Sequence, residues 1–206
     1  MEKKILITIA RQCGSCGREI GERVAALLGI PFYDRDIVVA AAEAGELHPE
    51  VADRVDEKAA NSLLYTLAMG AGLHSTYAGI AHMPVNDRLF MHQSDYIRSR
   101  AAEGSGVFVG RCADYILREE ADRFSVFIYA PIEVRRDHIM ACEGGIKEGA
   151  ALDLINKTDR RRASYYGFYT GGKWGKYDNY HLAVDSSLLG IEGTAALIAD
   201  AAKKRR

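Results

Sequence analysis

Ile5-Leu6-Ile7-Thr8-Ile9-Ala10-Arg11-Gln12-Cys13-Gly14-Ser15-Cys16-Gly17-Arg18-Glu19-Ile20-Gly21 is the stretch that decides the fold. Its first half is a β-branched apolar run of strand length, after which Gly14, Gly17 and Gly21 punctuate a turn into a helical pattern over residues 19–28. Ile20, Val24, Leu27 and Leu28 recur at i, i+4, i+7 and i+8 and form the face expected to be buried, with Glu22 and Arg23 toward water. Gly29 stops that helix and Pro31 cannot continue it, which predicts a second short strand over residues 30–33 with Asp34 at its carboxyl end.

Outward from this unit the texture changes. Residues 40–103 carry Ala-rich helical stretches, His48-Pro49 and Met83-Pro84 as breakers, and no convincing strand, so a helical insertion is expected there. Within residues 40–60, six acids (Glu43, Glu46, Glu50, Asp53, Asp56, Glu57) against two bases (Arg54, Lys58) give a local charge of −4, as on a solvated helix face. Strand signals return at Gly106-Val107-Phe108-Val109-Gly110, Ser125-Val126-Phe127-Ile128-Tyr129-Ala130 and His181-Leu182-Ala183-Val184-Asp185, each followed by a helical pattern. Near-continuous apolar strands alternating with helices predict an α/β fold, a doubly wound sheet of five parallel strands buried on both faces. The last helix, residues 191–202, is read with Ile191, Ala195, Leu197 and Ile198 inward. The Lys203-Lys204-Arg205-Arg206 that follows opposes the negative end of its dipole.

A chain of 206 residues, 48% hydrophobic and 27% charged, can bury one substantial core without disulfides or metal staples. Its 27 Lys and Arg against 28 Asp and Glu leave a net charge of −1, which speaks against a uniformly cationic nucleic-acid or membrane binder. The apolar run at residues 5–10 is too short for an export signal, and no stretch of about 18 apolar residues occurs to span a membrane. A cytoplasmic location is therefore expected, with Cys13, Cys16, Cys112 and Cys142 as reduced thiols. The six histidines show neither metal-ligand nor Ser-His-Asp spacing, which removes zinc and hydrolase readings.

In a doubly wound sheet ligands bind beyond the carboxyl ends of the strands, so the loop after the first strand is the place to look. Its glycines let successive N–H groups converge on an anion at a helix amino terminus, which predicts a phosphate cradle over Cys13, Gly14, Ser15, Cys16, Gly17, Arg18 and Glu19. The strict pattern G-x-x-x-x-G-K-[ST] is absent, and two registers stay open. In one, Arg18 replaces the Lys and grips phosphate while Glu19 replaces the hydroxyl and holds Mg²⁺. In the other, Gly17 falls at the Lys position and the missing charge comes from another Arg. Cys13-x-x-Cys16 also admits a redox reading, set against two small residues filling a crowded loop.

Ile7-Thr8-Ile9, the Gly14 loop, Ala25-Ala26-Leu27-Leu28 and Phe32-Tyr33-Asp34 resemble the start of a cytidylate kinase. Val109-Gly110-Arg111-Cys112-Ala113-Asp114 resembles that family's Gly-Arg-Asp segment, Ile132-Glu133-Val134-Arg135-Arg136 its Glu-Arg stretch, and Asp159-Arg160-Arg161-Arg162 its arginine-rich lid. Pro84-Val85-Asn86-Asp87-Arg88-Leu89-Phe90 and Arg162-Ala163-Ser164-Tyr165-Tyr166 extend the resemblance to the cytidylate kinase-like branch almost end to end. It implies a P-loop kinase core at residues 1–39 and 104–206, an inserted acceptor lobe at 40–103 and a lid at 156–180. It further implies transfer of the ATP γ-phosphoryl group to a nucleoside monophosphate, with Mg²⁺, and CMP or dCMP as leading acceptor.

Phosphoryl transfer needs charges that stabilise the group in flight. Six cations (Lys157, Arg160, Arg161, Arg162, Lys173, Lys176) against Asp159 give residues 156–176 a local charge of +5, and interleaved aromatics and glycines suggest a closing loop. Arg160 and Arg162 are assigned to phosphate, with Arg161 turned away, and Asp159 shares a helical face with Arg162. Arg111 is the leading candidate for the acceptor phosphate, with Asp114 orienting its guanidinium. Asp34 faces the metal or acceptor or caps a helix, Arg88 reaches the acceptor from the inserted lobe, and Arg135 either touches donor phosphates or is an ordinary surface residue. Two other readings accompany the kinase: a nucleotide-binding protein with a degenerate loop, and a kinase for a different small acceptor.

Overall fold

The computed structural model describes residues 4–48 and 83–205. Strand β1 (Leu6–Arg11) runs into helix α1 (Gly17–Leu28), then β2 (Phe32–Tyr33) and α2 (Arg35–Ala44). Beyond the undescribed residues come α3 (Val85–Glu103), β3 (Gly106–Val109), α4 (Ala113–Ile116), β4 (Arg123–Tyr129), α5 (Ile132–Cys142) and α6 (Glu148–Thr170). A 3₁₀ turn (Tyr177–Asn179), β5 (Leu182–Asp185) and α7 (Ser186–Lys204) complete the described chain. The five strands form one all-parallel sheet in the order β2-β3-β1-β4-β5. The expected doubly wound α/β fold is therefore present.

Alternation along the strands builds two cores. Ile7 and Ile9 of β1 with Val107 and Val109 of β3 pack against Ile20 and Val24 of α1 and Ile198 of α7, whereas Leu6 and Phe108 point the other way against Ile37 of α2 and Ile97 of α3. Helix α1 sits unusually close to the sheet. A Cβ on Gly21 would stand 3.1–3.2 Å from Phe32, Val109 and Ile9, so glycine there sets the helix-to-strand spacing. Leu27 and Leu197, both read as inward, are 41% exposed. Each lies at the margin of its apolar stripe, where the neighbouring Val24 and Ile198 already fill the contact.

Two segments depart more substantially from expectation. Residues 156–170, read as part of a closing loop with a helical face at Asp159 and Arg162, are all helical, the second half of the 23-residue helix α6, which ends at left-handed Gly171. The reason is tertiary: Tyr165, Tyr166 and Tyr169 turn inward and each hydroxyl donates to a buried acceptor, Gln93 Oε1 at 3.0 Å, Asp114 Oδ2 at 2.9 Å and Asp87 Oδ1 at 2.8 Å. Phe90 of α3 stacks on Tyr169 with ring centroids 3.9 Å apart. The second departure is α7, which begins at Ser186 and bends at Gly190 (φ 63, ψ −171) before the predicted helix starts. Most of the acidic stretch at residues 40–60, and much of the helical insertion, lies outside the described residues.

Asp87 is fully buried, and among the described residues its Oδ2 has no hydrogen-bond partner. Burial pushes its carboxyl up, against the lowering effect of the Tyr169 hydrogen bond. A raised folded-state value means that the folded chain holds the extra proton, so this group's stabilisation is complete below about pH 4 and is lost as pH rises through the raised value. Asp87→Asn keeps an acceptor for Tyr169 and removes the titration. Urea midpoints should rise relative to the parent on going from pH 4.5 to 7.5, and a difference that is flat with pH would contradict this account.

Candidate active site

The loop after β1 is stitched to the end of β4. Gln12 N–H donates to the Ile128 carbonyl at 3.0 Å, Ala130 N–H donates to Gln12 Oε1 at 3.3 Å, and the buried Ser15 hydroxyl donates to the carbonyls of Gln12 and Ile128. Ser186, at the start of α7, donates to the Ser15 carbonyl at 2.9 Å. The Ser15 hydroxyl therefore serves the loop's own geometry. Gly14 adopts φ 78, and a Cβ there would fall 2.6 Å from the Arg135 carbonyl. Cys16, at the amino end of α1, is also left-handed (φ 55, ψ 19) and no side chain caps the helix. Gly17 opens α1, and a Cβ on it would stand 2.5 Å from Arg11 Cβ and 2.8 Å from Arg11 Cγ.

Arginines surround this turn. Arg135 of α5 donates to Asp159 Oδ2 at 2.7 Å and to the Cys13 carbonyl at 3.3 Å. Asp159 Oδ1 accepts the Cys13 N–H at 2.8 Å, and Arg162 Nη1 donates to the Arg11 carbonyl at 3.0 Å. Asp159 and Arg162 share the inward face of α6, while Arg160 is exposed beside Asp153, Asn156 and Lys157, because one residue along a helix is a turn of about 100°. Arg18 rims the loop pocket, but its Nε donates to Asp34 Oδ2 at 3.0 Å and its Nη2 lies 2.9 Å from Glu22. Glu19 is partly exposed, 3.5 Å from His138 Nε2. Among the described residues no three His, Cys, Asp or Glu side chains are grouped to hold a metal by themselves.

His138 Nδ1 also lies 3.4 Å from Cys16 Sγ. The Cys16 thiol is pushed up to about 11, first by burial and then by the Glu19 carboxylate and Cys142. Burial raises Cys13 as well, against the lowering pull of Arg162. A redox or nucleophilic cysteine needs the opposite shift, and both cysteines are free thiols packed into the turn.

Beyond β3, Gly110, Arg111 and Cys112 take successive left-handed conformations (φ 77, 50 and 56). This swings the buried Arg111 guanidinium to Asp34 Oδ1 at 2.9 Å, so Asp34 bridges Arg111 and Arg18. Asp34 stands at the amino end of α2 but makes no side-chain cap there. The orienting carboxylate for Arg111 is thus Asp34. The Asp114 carboxylate accepts Tyr166 and its carbonyl accepts Arg123, because the left-handed turn at residues 111 and 112 carries the two side chains in different directions. Ala10, Arg11, Arg111, Asp114, Arg162, Tyr165, Tyr166 and Trp174 line a cavity of about 20 Å³, room for about one water. Arg88 donates to the Gly45 carbonyl at 3.4 Å and is not among its lining residues.

A family model for the cytidylate kinase-like family matches residues 6–188. The chain belongs to the cytidylate kinase-like family. No curated protein sequence matches it significantly. Among solved structures, an uncharacterized protein from Eubacterium ventriosum ATCC 27560 superposes with a TM-score of 0.73 at 22% identity, covering 98% of this chain and 100% of that one. Shikimate kinase from Bacteroides thetaiotaomicron gives 0.55 at 12% identity (98% and 99% covered), and a gluconokinase from Sinorhizobium meliloti 1021 gives 0.50 at 17% (98% and 96%). These likenesses establish the P-loop kinase fold, and together with the family they support a small-molecule phosphotransferase.

For this member of the family, sequence reading undervalued Arg11 and left Arg135 undecided. Arg11 was legible from parity, since Ile7, Ile9 and Arg11 alternate onto the α1 face, and from the Gly17-x-x-x-Gly21 spacing that clears a groove for them. The Glu-Arg stretch marks Arg135 as a candidate, but no local pattern decides between the loop and the surface, because Arg135 reaches the loop only through the placement of α5. The raised thiol predicts slow chemistry at Cys16. At pH 8.5 iodoacetamide should label it at least about tenfold more slowly in the folded protein than in the urea-unfolded chain, measured by peptide mapping. Equal rates would contradict the buried, proton-retaining environment.

Proposed function

We propose that this protein is a phosphotransferase that moves the γ-phosphoryl group of ATP to a nucleoside monophosphate, with CMP or dCMP as leading acceptor. One observation carries the reading: an uncapped helix entered through left-handed Gly14 and Cys16 lies among Arg11, Arg135 and Arg162, next to the buried Arg111–Asp34 pair. Backbone N–H groups of residues 13–19 hold the donor phosphates, helped by the positive end of α1. Arg135 and Arg162 add charge, and Asp34 fixes the Arg111 guanidinium for the acceptor anion. Asp159 occupies the Cys13 N–H as a phosphate oxygen would, so ATP exchanges places with a carboxylate there.

In the transfer an acceptor phosphate oxygen bonds to the γ-phosphorus while the bond to the β,γ-bridging oxygen breaks and its electron pair leaves on ADP. An ionised acceptor oxygen has no proton to move. Mg²⁺ would be held by a carboxylate plus the phosphates themselves, and Glu19, partly exposed in the first turn of α1, is the residue that would supply it. The ion supplies charge neutralisation between phosphates when bound. Acceptor entry requires the small cavity to widen, since it has room for about one water. A second reading, a small anionic acceptor other than a nucleotide, needs less widening of that cavity.

A coupled ADP-release assay with Mg²⁺ and CMP, dCMP, UMP, AMP or GMP should show turnover with a pyrimidine nucleotide. Turnover only with small hydroxy acids would favour the second reading, and none with any acceptor would refute phosphotransfer. Arg111→Lys keeps the charge but loses the planar fork, so kcat/KM for the acceptor should fall about 10- to 100-fold while the KM for ATP changes less than about threefold.

A further inference from the structure

The phosphate-loop pattern normally places a lysine immediately after the second glycine, where it bridges the β- and γ-phosphates. Here that helix begins at Gly17, and Arg11 fills the space that a side chain at position 17 would enter. The hypothetical Cβ lies 2.5 Å from Arg11 Cβ and 2.8 Å from Arg11 Cγ, distances that no real side chain tolerates. Gly17 is not among the glycines with positive φ, so the obstacle to a side chain is Arg11 rather than the backbone. Two strand residues span about the same length as one helical turn. Gly21 accordingly stands over Ile9 as Gly17 stands over Arg11.

Arg11 is 9% exposed at the carboxyl end of β1 and lines both the loop pocket and the cavity beside Arg111. Of the residues lining those two spaces it shares this double position with Arg162. A phosphoryl group passing from donor to acceptor crosses that boundary. Arg18, the other candidate for the missing charge, is 55% exposed on the rim of the loop pocket and does not line the cavity beside Arg111.

We propose that Arg11 stands in for the absent lysine: the cation that bridges the donor's β- and γ-phosphates comes from the strand before the loop, and Gly17 is the gap that lets it through. The inference rests on the phosphotransfer reading above for its role in turnover, but its binding role is separately measurable. Arg11→Gln should lower kcat about 100-fold or more. In calorimetric titrations with Mg²⁺ present, it should weaken ATP about tenfold while leaving AMP, which has no β- or γ-phosphate, within about twofold. Arg11→Lys should recover part of both losses, and Arg18→Gln should be the milder variant in kcat. The swap Arg11→Gly with Gly17→Lys should regain at least about tenfold in kcat over Arg11→Gly alone.

An Arg11→Gln enzyme with kcat within threefold of the parent, or with ATP and AMP weakened equally, overturns the proposal. A swapped variant that binds AMP normally yet regains nothing also overturns it. If the parent transfers phosphate to no acceptor, the phosphotransfer reading falls, and the ATP-versus-AMP comparison still decides whether Arg11 holds the outer phosphates. A parent that binds no ATP removes both.

Discussion

The close seating of α1 on β1 governs the rest of the molecule. Gly17 and Gly21 strip one stripe of the helix, so Arg11 and Ile9 of the strand approach its backbone more closely than side chains on both surfaces permit. That contact fixes where the helix begins, hence where its unsatisfied N–H groups lie and how sharply Gln12 to Cys16 must turn to reach them. Two left-handed residues are the local consequence, and only one of them is glycine. Cys16 costs some backbone strain in that conformation, offset by the stitching of the loop to β4 and α7.

Helix α6 ties the remaining parts to this unit. Its inward face carries Asp159 and Arg162 toward the loop and, one to two turns later, Tyr165, Tyr166 and Tyr169 toward α3 and the turn after β3. Three tyrosine hydroxyls with three buried acceptors are costly to desolvate unless every partner is in place, so the arrangement specifies one docking of the helix. The same helix therefore touches the loop after β1 from its middle and α3 and the turn after β3 from its carboxyl-terminal half. Movement of α6 would change both together.

Charge is organised by the same logic. A near-neutral chain places Arg11, Arg18, Arg111, Arg135 and Arg162 around the carboxyl ends of β1 and β3, where Asp34 and Asp159 partly neutralise them. Buried cations without an anion are expensive, and these carboxylates hold Arg111 and Arg135 in place. The +5 segment is also divided by geometry: Arg162 faces the loop and Arg160 faces water, although they are two residues apart.

The sheet, its five parallel strands and the phosphate-type turn were legible because hydrophobic period and glycine spacing are local properties, as in Ile7-Thr8-Ile9 and Gly14-Ser15-Cys16-Gly17. Arg111 and Asp34 were legible as candidates because each follows a strand at the binding edge. Their partnership was not, since the left-handed turn at Arg111 and Cys112 depends on contacts made far along the chain. The helical face of Asp159 and Arg162 was legible, but the continuation to Thr170 read as a loop because glycine and aromatics depress helix propensity, and tertiary burial of three tyrosines overrode it. The sequence by itself determined which elements form and on which edge of the sheet the charged residues gather. Only the tertiary structure decided which charges meet, because a guanidinium's partner is set by the packing of α1, α5 and α6, and nothing local to an arginine encodes that.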